Sequence, residues 1–548
     1  MATVTTTITE TFWSKWNTAV NLSLITKEAK IDEAKAKNPI SKDAITKELL
    51  TREEVSKHNN PKDCWIIING KVYDVTNFGK THPGGPVIFT QAGRDGTDAF
   101  KLFHPPRAYQ QLKEVYIGDV HNDDPVPELL KDYRDLRTAL QRAQMFKSNK
   151  LYYASKFVTV FSLLAASLAI INWSQSFWAV LASSVVMGLY WQQCGWLSHD
   201  FVHNQVTDNK KLNLYFGGLV VGNLMTAFSV GWWRTKHNVH HAVTNECDEK
   251  YQPVDPDIDT VPLLAWSKEI LDTVEDPNIR KILSVQHWLF FPLLLLARIS
   301  WMYSSWAHAR DFEMSPSMRR AEKGTLLAHY ATTIGAAFYF LPAPQAICWL
   351  FLSEAFSGLF LSIVFTVSHN GMEMYNEPKD FVTAQLSATR NIKNQFFYDW
   401  FSGGLNWQIE HHLFPTMPRH NLGKVAPHVK ALCAKHGLEY QEISLYAAMK
   451  AAFDRLAEVA ALARASLQNR CLVGATMNLG LLSFTFHIAW CCYLVALEPR
   501  SIQAQQLDCV VRLAYSKRLN QLVFPKHKPW SATMRDRVEG ESPEARRR

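Results

Sequence analysis

The chain has 548 residues, 47% of them hydrophobic and 20% charged, with a formal net charge of +8. At about 100–200 residues per domain this is several units, and the composition excludes a disordered or collagen-like chain. The mean hydropathy of −0.13 averages polar stretches (1–150 and 370–470) with long apolar runs (157–197 and 282–367). That is the distribution of a membrane protein with large water-exposed parts. The modest basic excess reads as attraction to an anionic membrane surface, not as a nucleic-acid footprint.

The nine cysteines include no CxxC pair, which argues against a disulfide framework or a zinc ribbon. Met1 to Lys27 has neither arginine nor an apolar core of signal-peptide length, so no cleaved secretory signal is expected and this part should stay cytosolic. Residues 1–47 form a polar leader. Residues 48–121 read as a compact α+β domain. Two apolar strand-like runs, 64–68 and 71–75, flank Asn69-Gly70, a strong hairpin signal. A turn at Thr81-His82-Pro83-Gly84-Gly85 follows, then helical segments ending at Phe103-His104-Pro105. Residues 122–150 are a charged linker containing Pro125 and Pro127.

Residues 151–460 carry the apolar segments. The runs 157–171 and 177–197 are joined by an uncharged loop, as are 325–341 and 346–367. A bilayer core takes about 20 apolar residues per helix. The loop 304–324 carries Arg310, Arg319, Arg320 and Lys323 and is expected on the cytosolic side. These features predict four transmembrane helices in two hairpins. The runs 214–233 and 282–303 then lie in the interface or re-enter, and the polar histidine clusters share one cytosolic face.

Those clusters carry the chemistry. His199 and His203 are spaced i, i+4, and His237, His240 and His241 are spaced i, i+3 and i+4, so each set lies on one helical face. The third cluster is Gln408, His411 and His412. His369, at the end of the last apolar run, is an eighth candidate histidine. Neutral imidazoles suit zinc, copper, iron or nickel. Seven clustered histidines exceed what one tetrahedral ion needs, so two metal ions are expected. Asp200 and Glu410 adjoin candidate ligands and are read either as partners that orient imidazoles or as solvated carboxylates. In the N-terminal domain, His82 and His104 come from separate loops and suit bis-histidine haem ligation. A redox domain fused to a polyhistidine site favours iron over zinc.

The boxes HxxxH (199–203), HxxHH (237–241) and QxxHH (408–412) resemble those of the membrane fatty acyl desaturases. Gln408 is similar to the front-end subgroup, and the resemblance extends to Gln192-Gln193-Cys194-Gly195-Trp196, to residues 255–260 and to His411-His412-Leu413-Phe414-Pro415. Asn204 departs from it, where relatives often carry a second adjacent histidine. The Pro83-Gly84-Gly85 turn with Gly93-Arg94-Asp95-Gly96 and Phe103-His104 resembles cytochrome b5. The resemblance implies haem b between His82 and His104, and two iron ions held by His199, His203, His237, His240, His241, His369, Gln408, His411 and His412. It implies electrons from an NADH-cytochrome b5 reductase and a multi-pass location in the endoplasmic reticulum membrane. It further implies a fatty acyl substrate, carried as acyl-CoA or phospholipid, that receives a cis double bond at the expense of dioxygen. The similarity leans towards the delta-6 type. Delta-8 or delta-5 acyl activity, delta-8 sphingolipid activity and hydroxylation are the alternatives.

The resemblance fades after about Ala460. Residues 461–548 read as an atypical extension with one apolar run, 471–497, and a basic tail. Truncation after Arg464 is expected to retain activity.

Overall fold

The computed structural model describes residues 49–470, apart from 106–107, 122–125, 312–314 and 394–396. The leader and the apolar run 471–497 therefore lie outside the described residues.

The first unit is built on a sheet of β1 (Leu49–Leu50), β2 (Asn59–Asn60), β3 (Asp63–Ile68), β4 (Lys71–Asp74) and β5 (Tyr116–Val120), in the order β1-β5-β4-β3-β2. The predicted hairpin is β3–β4, with Ile66 opposite Tyr73 and Ile67 opposite Val72. Asn69 and Gly70 both take left-handed φ (52° and 72°), as a tight two-residue hairpin turn requires. Side chains alternate across a strand. Cys64, Ile66 and Ile68 accordingly pack with Tyr73 and Leu112 on one face, while Ile67 packs with Val55, Val72 and Val120 on the other. Helix α1 (Thr97–Phe103) closes the first face and ends at His104.

The linker is not an open connector. Residues Glu128–Arg142 form a helix, α2. Tyr133, Leu136 and Leu140 recur at helical spacing and are buried in a cluster with Ile409, Leu413 and Phe414.

The four predicted apolar runs are all helical: α3 (Lys150–Trp173), α4 (Phe177–Val202), and, further on, Pro316–Phe340 and Ala343–His369. Between the two pairs lie a π-helical stretch (Asn213–Leu224), then α5 (Val230–Ala242), α6 (Pro277–Leu283) and α7 (Gln286–Asp311). The last pair is accordingly α8 and α9. Of the four, α3 and α9 are long and apolar enough to cross a bilayer, while α4 and α8 are diluted by polar residues such as Gln192, Gln193 and His329. Helices α6 and α7 form a bent pair at 84° that passes the same test jointly.

Small and polar residues bring these helices together, as expected where lipid supplies no hydrophobic drive. The hydroxyls of Ser167 in α3 and Ser183 in α4 lie 2.9 Å apart, and the indole of Trp349 in α9 donates to Ser183 at 2.8 Å. Gly188 lets α4 approach α9 so closely that a Cβ there would lie 2.8 Å from Cβ of Phe356. The tips of the two hairpins meet where Gln175 Nε2 donates to the Phe340 carbonyl at 2.9 Å. Trp173, Trp178 and Tyr339 are exposed around those tips, as interfacial aromatics are. The opposite ends carry His199 and His369.

The polar part includes α10 (Phe381–Ala388), α11 (Gln408–Leu413) and α12 (Arg419–Lys435). The last helix among the described residues, α13 (Leu445–Arg470), runs past Ala460 without a break. Ala452, Leu456, Val459 and Ala463 pack against Leu283 and Phe290, and Arg280 donates to Ser466 Oγ at 3.0 Å.

Candidate metal and haem centres

Each histidine box sits at a helix end or on a short helix, which explains its spacing. His199 lies in the last turn of α4, and His203 caps its C-terminus. His237, His240 and His241 occupy the last turns of α5, and His411 and His412 lie in α11. His369 ends α9. All eight side chains are buried.

The structure divides them into two groups. Ring nitrogens of His199, His203, His237, His241 and His411 lie within 4.8 Å of one another, as do those of His240, His369 and His412. The groups adjoin where the rings of His241 and His412 stack at 4.2 Å. The second box is therefore split, with His237 and His241 in the larger group and His240 in the smaller. Gln408 joins the smaller group, its Nε2 2.8 Å from His369 Nε2 and 3.2 Å from His412 Nε2.

The arrangement fits metal ions. In the larger group His237 Nε2 lies 2.9 Å from His203 Nε2 and 3.0 Å from His241 Nε2. Two nitrogens each about 2.1 Å from one ion and at right angles to each other are about 3.0 Å apart. Among the described residues, both ring nitrogens of His411, Nε2 of His199 and Oε1 of Gln408 are buried without a hydrogen-bond partner. Such orphaned groups cost about 1–3 kcal/mol each unless something binds them. Burial holds the pKa of His237, His241, His411 and His412 well below the ordinary imidazole value, so the rings stay neutral, as metal ligands must be.

The smaller group is aimed by other residues. His240 Nδ1 lies 2.9 Å from Asp255 Oδ2, His412 Nδ1 lies 2.8 Å from Gln385 Oε1, and His369 Nδ1 lies 3.2 Å from the Ala388 carbonyl. These acceptors place the proton on Nδ1 and turn the Nε2 lone pair inward in all three rings. Burial works against a charge on His240, but the Asp255 and Asp257 carboxylates outweigh it and raise its pKa. Neither carboxylate singled out in the sequence does this work. Asp200 pairs with Arg419 at 2.6 Å and stays 3.6 Å from His199. Glu410 is turned away, accepting from Asn391 at 2.7 Å and Tyr440 at 2.8 Å. Asp255 stood in a motif already noted, and Gln385 carried no signal in the sequence. Asn204 lies outside both groups; it takes φ 58° just past α4, a conformation that asparagine tolerates well.

In the N-terminal unit, His82 and His104 face each other with Nε2 atoms 3.5 Å apart. Their Nδ1 atoms lie 3.0 Å from the Gly85 carbonyl and 3.1 Å from the Phe100 carbonyl. Both rings thus present Nε2 to the space between them. Burial pushes His104 down to about 4 and lowers His82 as well, which keeps both neutral. This is the donor set a bis-histidine haem needs.

An apolar pocket reaches the larger group. It is lined by His199, Phe228, Trp233, Trp301, Leu361 and Phe365, among others.

Comparison with known proteins agrees with this arrangement. The fatty acid desaturase family matches residues 176–444, and the cytochrome b5-like heme/steroid binding domain matches residues 51–121. An acyl-lipid (9-3)-desaturase of Physcomitrium patens is 53% identical over 407 residues, 74% of this chain and 77% of that one. The chain belongs to the cytochrome b5-fusion front-end fatty acid desaturases. A delta(8)-fatty-acid desaturase of Helianthus annuus is 33% identical, covering 79% of this chain and 95% of its own. Another, of Euglena gracilis, is 36% identical, covering 68% of this chain and 89% of its own. As a front-end desaturase the chain is an oxidoreductase of lipid metabolism that uses haem and a di-iron centre and acts on a fatty acyl chain.

Proposed function

We propose that this desaturase is of the delta-6 type and inserts its double bond on the carboxyl side of an existing one. The observation that carries this is the 53% identity to the Physcomitrium patens enzyme, because we read (9-3) as three carbons from position 9 towards the carboxyl. Delta-8 specificity is the second reading, favoured by the names of the Helianthus annuus and Euglena gracilis relatives.

His199, His203, His237, His241 and His411 would hold one iron; His240, His369 and His412, with Gln408, would hold the other. A half-turn of the Gln408 amide puts its unpartnered Oε1 where Nε2 stands. The bound irons supply the dioxygen-dependent removal of hydrogen from unactivated methylenes, which acid–base side chains cannot perform. The protein holds the ligands and the chain. Asp255, Gln385 and the Ala388 carbonyl keep the Nδ1 protons in place. Trp233 stacks on His237 with ring centres 4.1 Å apart. With Phe228, Trp301 and Phe365 it forms apolar walls that exclude water and align an acyl chain past His199.

His82 and His104 would hold the haem, with electrons supplied by an NADH-cytochrome b5 reductase. Both hairpins end in histidines on the side away from the aromatic tips, and the adjoining ends of α7 and α8 carry Arg310, Arg319, Arg320 and Lys323. This supports four crossings with the haem unit and histidine boxes in the cytosol, in the endoplasmic reticulum membrane.

Expression in yeast fed a panel of polyunsaturated fatty acids tests this reading. Gas chromatography with double-bond location is expected to show a new bond at position 6. A bond at position 8 or 5, a desaturated sphingoid base or a hydroxylated chain would overturn it.

A further inference from the structure

The haem unit is fastened to the histidine cluster at separate points. Arg94 Nη1 lies 2.6 Å from Glu246 Oε1, and Glu246 is almost fully buried. Both ends of this pair are anchored. The Arg94 carbonyl accepts from Ile67 N in β3 at 3.0 Å, and the Glu246 carbonyl accepts from Asp255 N at 3.1 Å. Asn245 N donates to Asp255 Oδ2 at 2.8 Å, and the same carboxylate holds His240.

A second fastening runs through α2. Arg134 grips Asp98 of α1 with two bonds, Nε to Oδ1 at 2.8 Å and Nη2 to Oδ2 at 2.7 Å. Arg137 donates to the Lys101 carbonyl at 2.8 Å. From the same helix, the hydroxyl of Tyr133 donates to the Leu413 carbonyl at 2.8 Å. Helix α2 thus links the helix that ends at His104 to the helix that holds His411 and His412. The turn after His82 also rests on α5, where a Cβ on Gly85 would lie 3.7 Å from Thr235 Cγ2. Bidentate Arg–carboxylate pairs fix orientation as well as distance.

We propose that Arg94 and Arg134 are positioning residues for internal electron transfer, their pairs with Glu246 and Asp98 locking the haem unit in one pose over the histidine cluster. Each transfer oxidises the haem by one electron and reduces the di-iron site by one; no bond is made or broken. This rests on the assignment of His82 and His104 to the haem and of the eight clustered histidines to iron.

The test uses the full chain, haem-loaded, in lipid nanodiscs. Pre-reduced protein is mixed with oxygenated buffer and acyl substrate, and haem reoxidation is followed at the Soret band. The His411→Ala protein supplies the background rate. The wild-type rate is expected to be independent of protein concentration. Arg94→Gln and Arg134→Gln are expected to slow it about tenfold or more, since a small misplacement costs up to about a hundredfold, with unchanged haem spectra. Arg94→Lys, which keeps the charge, and the exchange of Arg134→Asp with Asp98→Arg are expected to recover most of the rate. Hydrogen exchange, which needs no turnover, is expected to quicken across 97–103 and 128–142 in Arg134→Gln. Unchanged reoxidation and exchange in both glutamine variants would overturn the proposal, as would a wild-type rate that rises with protein concentration. Failure of the underlying haem assignment is separate: it would appear as a Soret band retained in His104→Ala.

Discussion

His240 and Asp255 form a buried pair, Nδ1 to Oδ2 at 2.9 Å, in which the carboxylate also accepts from the Asn245 amide at 2.8 Å. The proton between them sets which nitrogen of His240 is free. Asp255 therefore controls the smaller group of histidines without belonging to it. Asp255→Ala is expected to lower iron affinity about 10–100-fold, read by chelator competition on the purified protein, with the haem spectrum intact.

Gln385 does the same for His412, and its amide also donates to the His241 carbonyl at 3.1 Å. Gln385→Leu removes both bonds at similar volume. Desaturation is expected to fall about tenfold or more, and a variant with wild-type product yield and iron content would show that His412 is oriented by something else.

The haem site should fail independently of the iron site. His82→Ala and His104→Ala are expected to lose the Soret band and product while keeping non-haem iron. Loss of both metals together would mean that the two units do not fold separately.

Gly188 lies where α4 packs tightly against α9. A valine there would meet Phe356 Cβ at 2.8 Å and the Ser357 amide at 3.0 Å from its Cβ alone. Overpacking of this kind costs about 1–3 kcal/mol. Gly188→Val is expected to accumulate poorly in membranes and to lose heat resistance, measured by fluorescence-detected size exclusion.

Helix α13 sets where the chain can be shortened. A stop after Arg470 keeps the bond from Arg280 to Ser466 and is expected to retain full activity. A stop after Arg464 removes that bond, worth about 0.5–1.5 kcal/mol, and is expected to stay active with a slightly lower melting temperature.

The histidine boxes were legible because helical spacing alone puts His199 with His203 and His237 with His241. Their division was not, since i, i+3 and i, i+4 both share a face and only tertiary packing sends His240 to the other group. Asp200 and Glu410 looked like orienting residues by adjacency, yet neighbours on a helix point different ways, towards Arg419 and Tyr440 here. Gln385 approaches from a helix distant in sequence and left no pattern. The helix at 128–142 was readable from Tyr133, Leu136 and Leu140 but was hidden by the charged residues on its other face. Two of the four predicted crossings, α4 and α8, are less apolar than a spanning helix usually is, and their polar residues are bonded within the protein: Gln192 and Gln193 donate to the carbonyls of Phe360 and Trp400, and His329 Nδ1 lies 2.9 Å from the carbonyl of Leu224.

The most direct test of the two-group metal site is the ratio of non-haem iron to haem in the purified full chain, from elemental analysis and a haemochrome assay. Two non-haem irons per haem are expected, with the ratio falling in both His411→Ala and His412→Ala at constant haem. Zinc in place of iron, or an undiminished ratio in both variants, would contradict it.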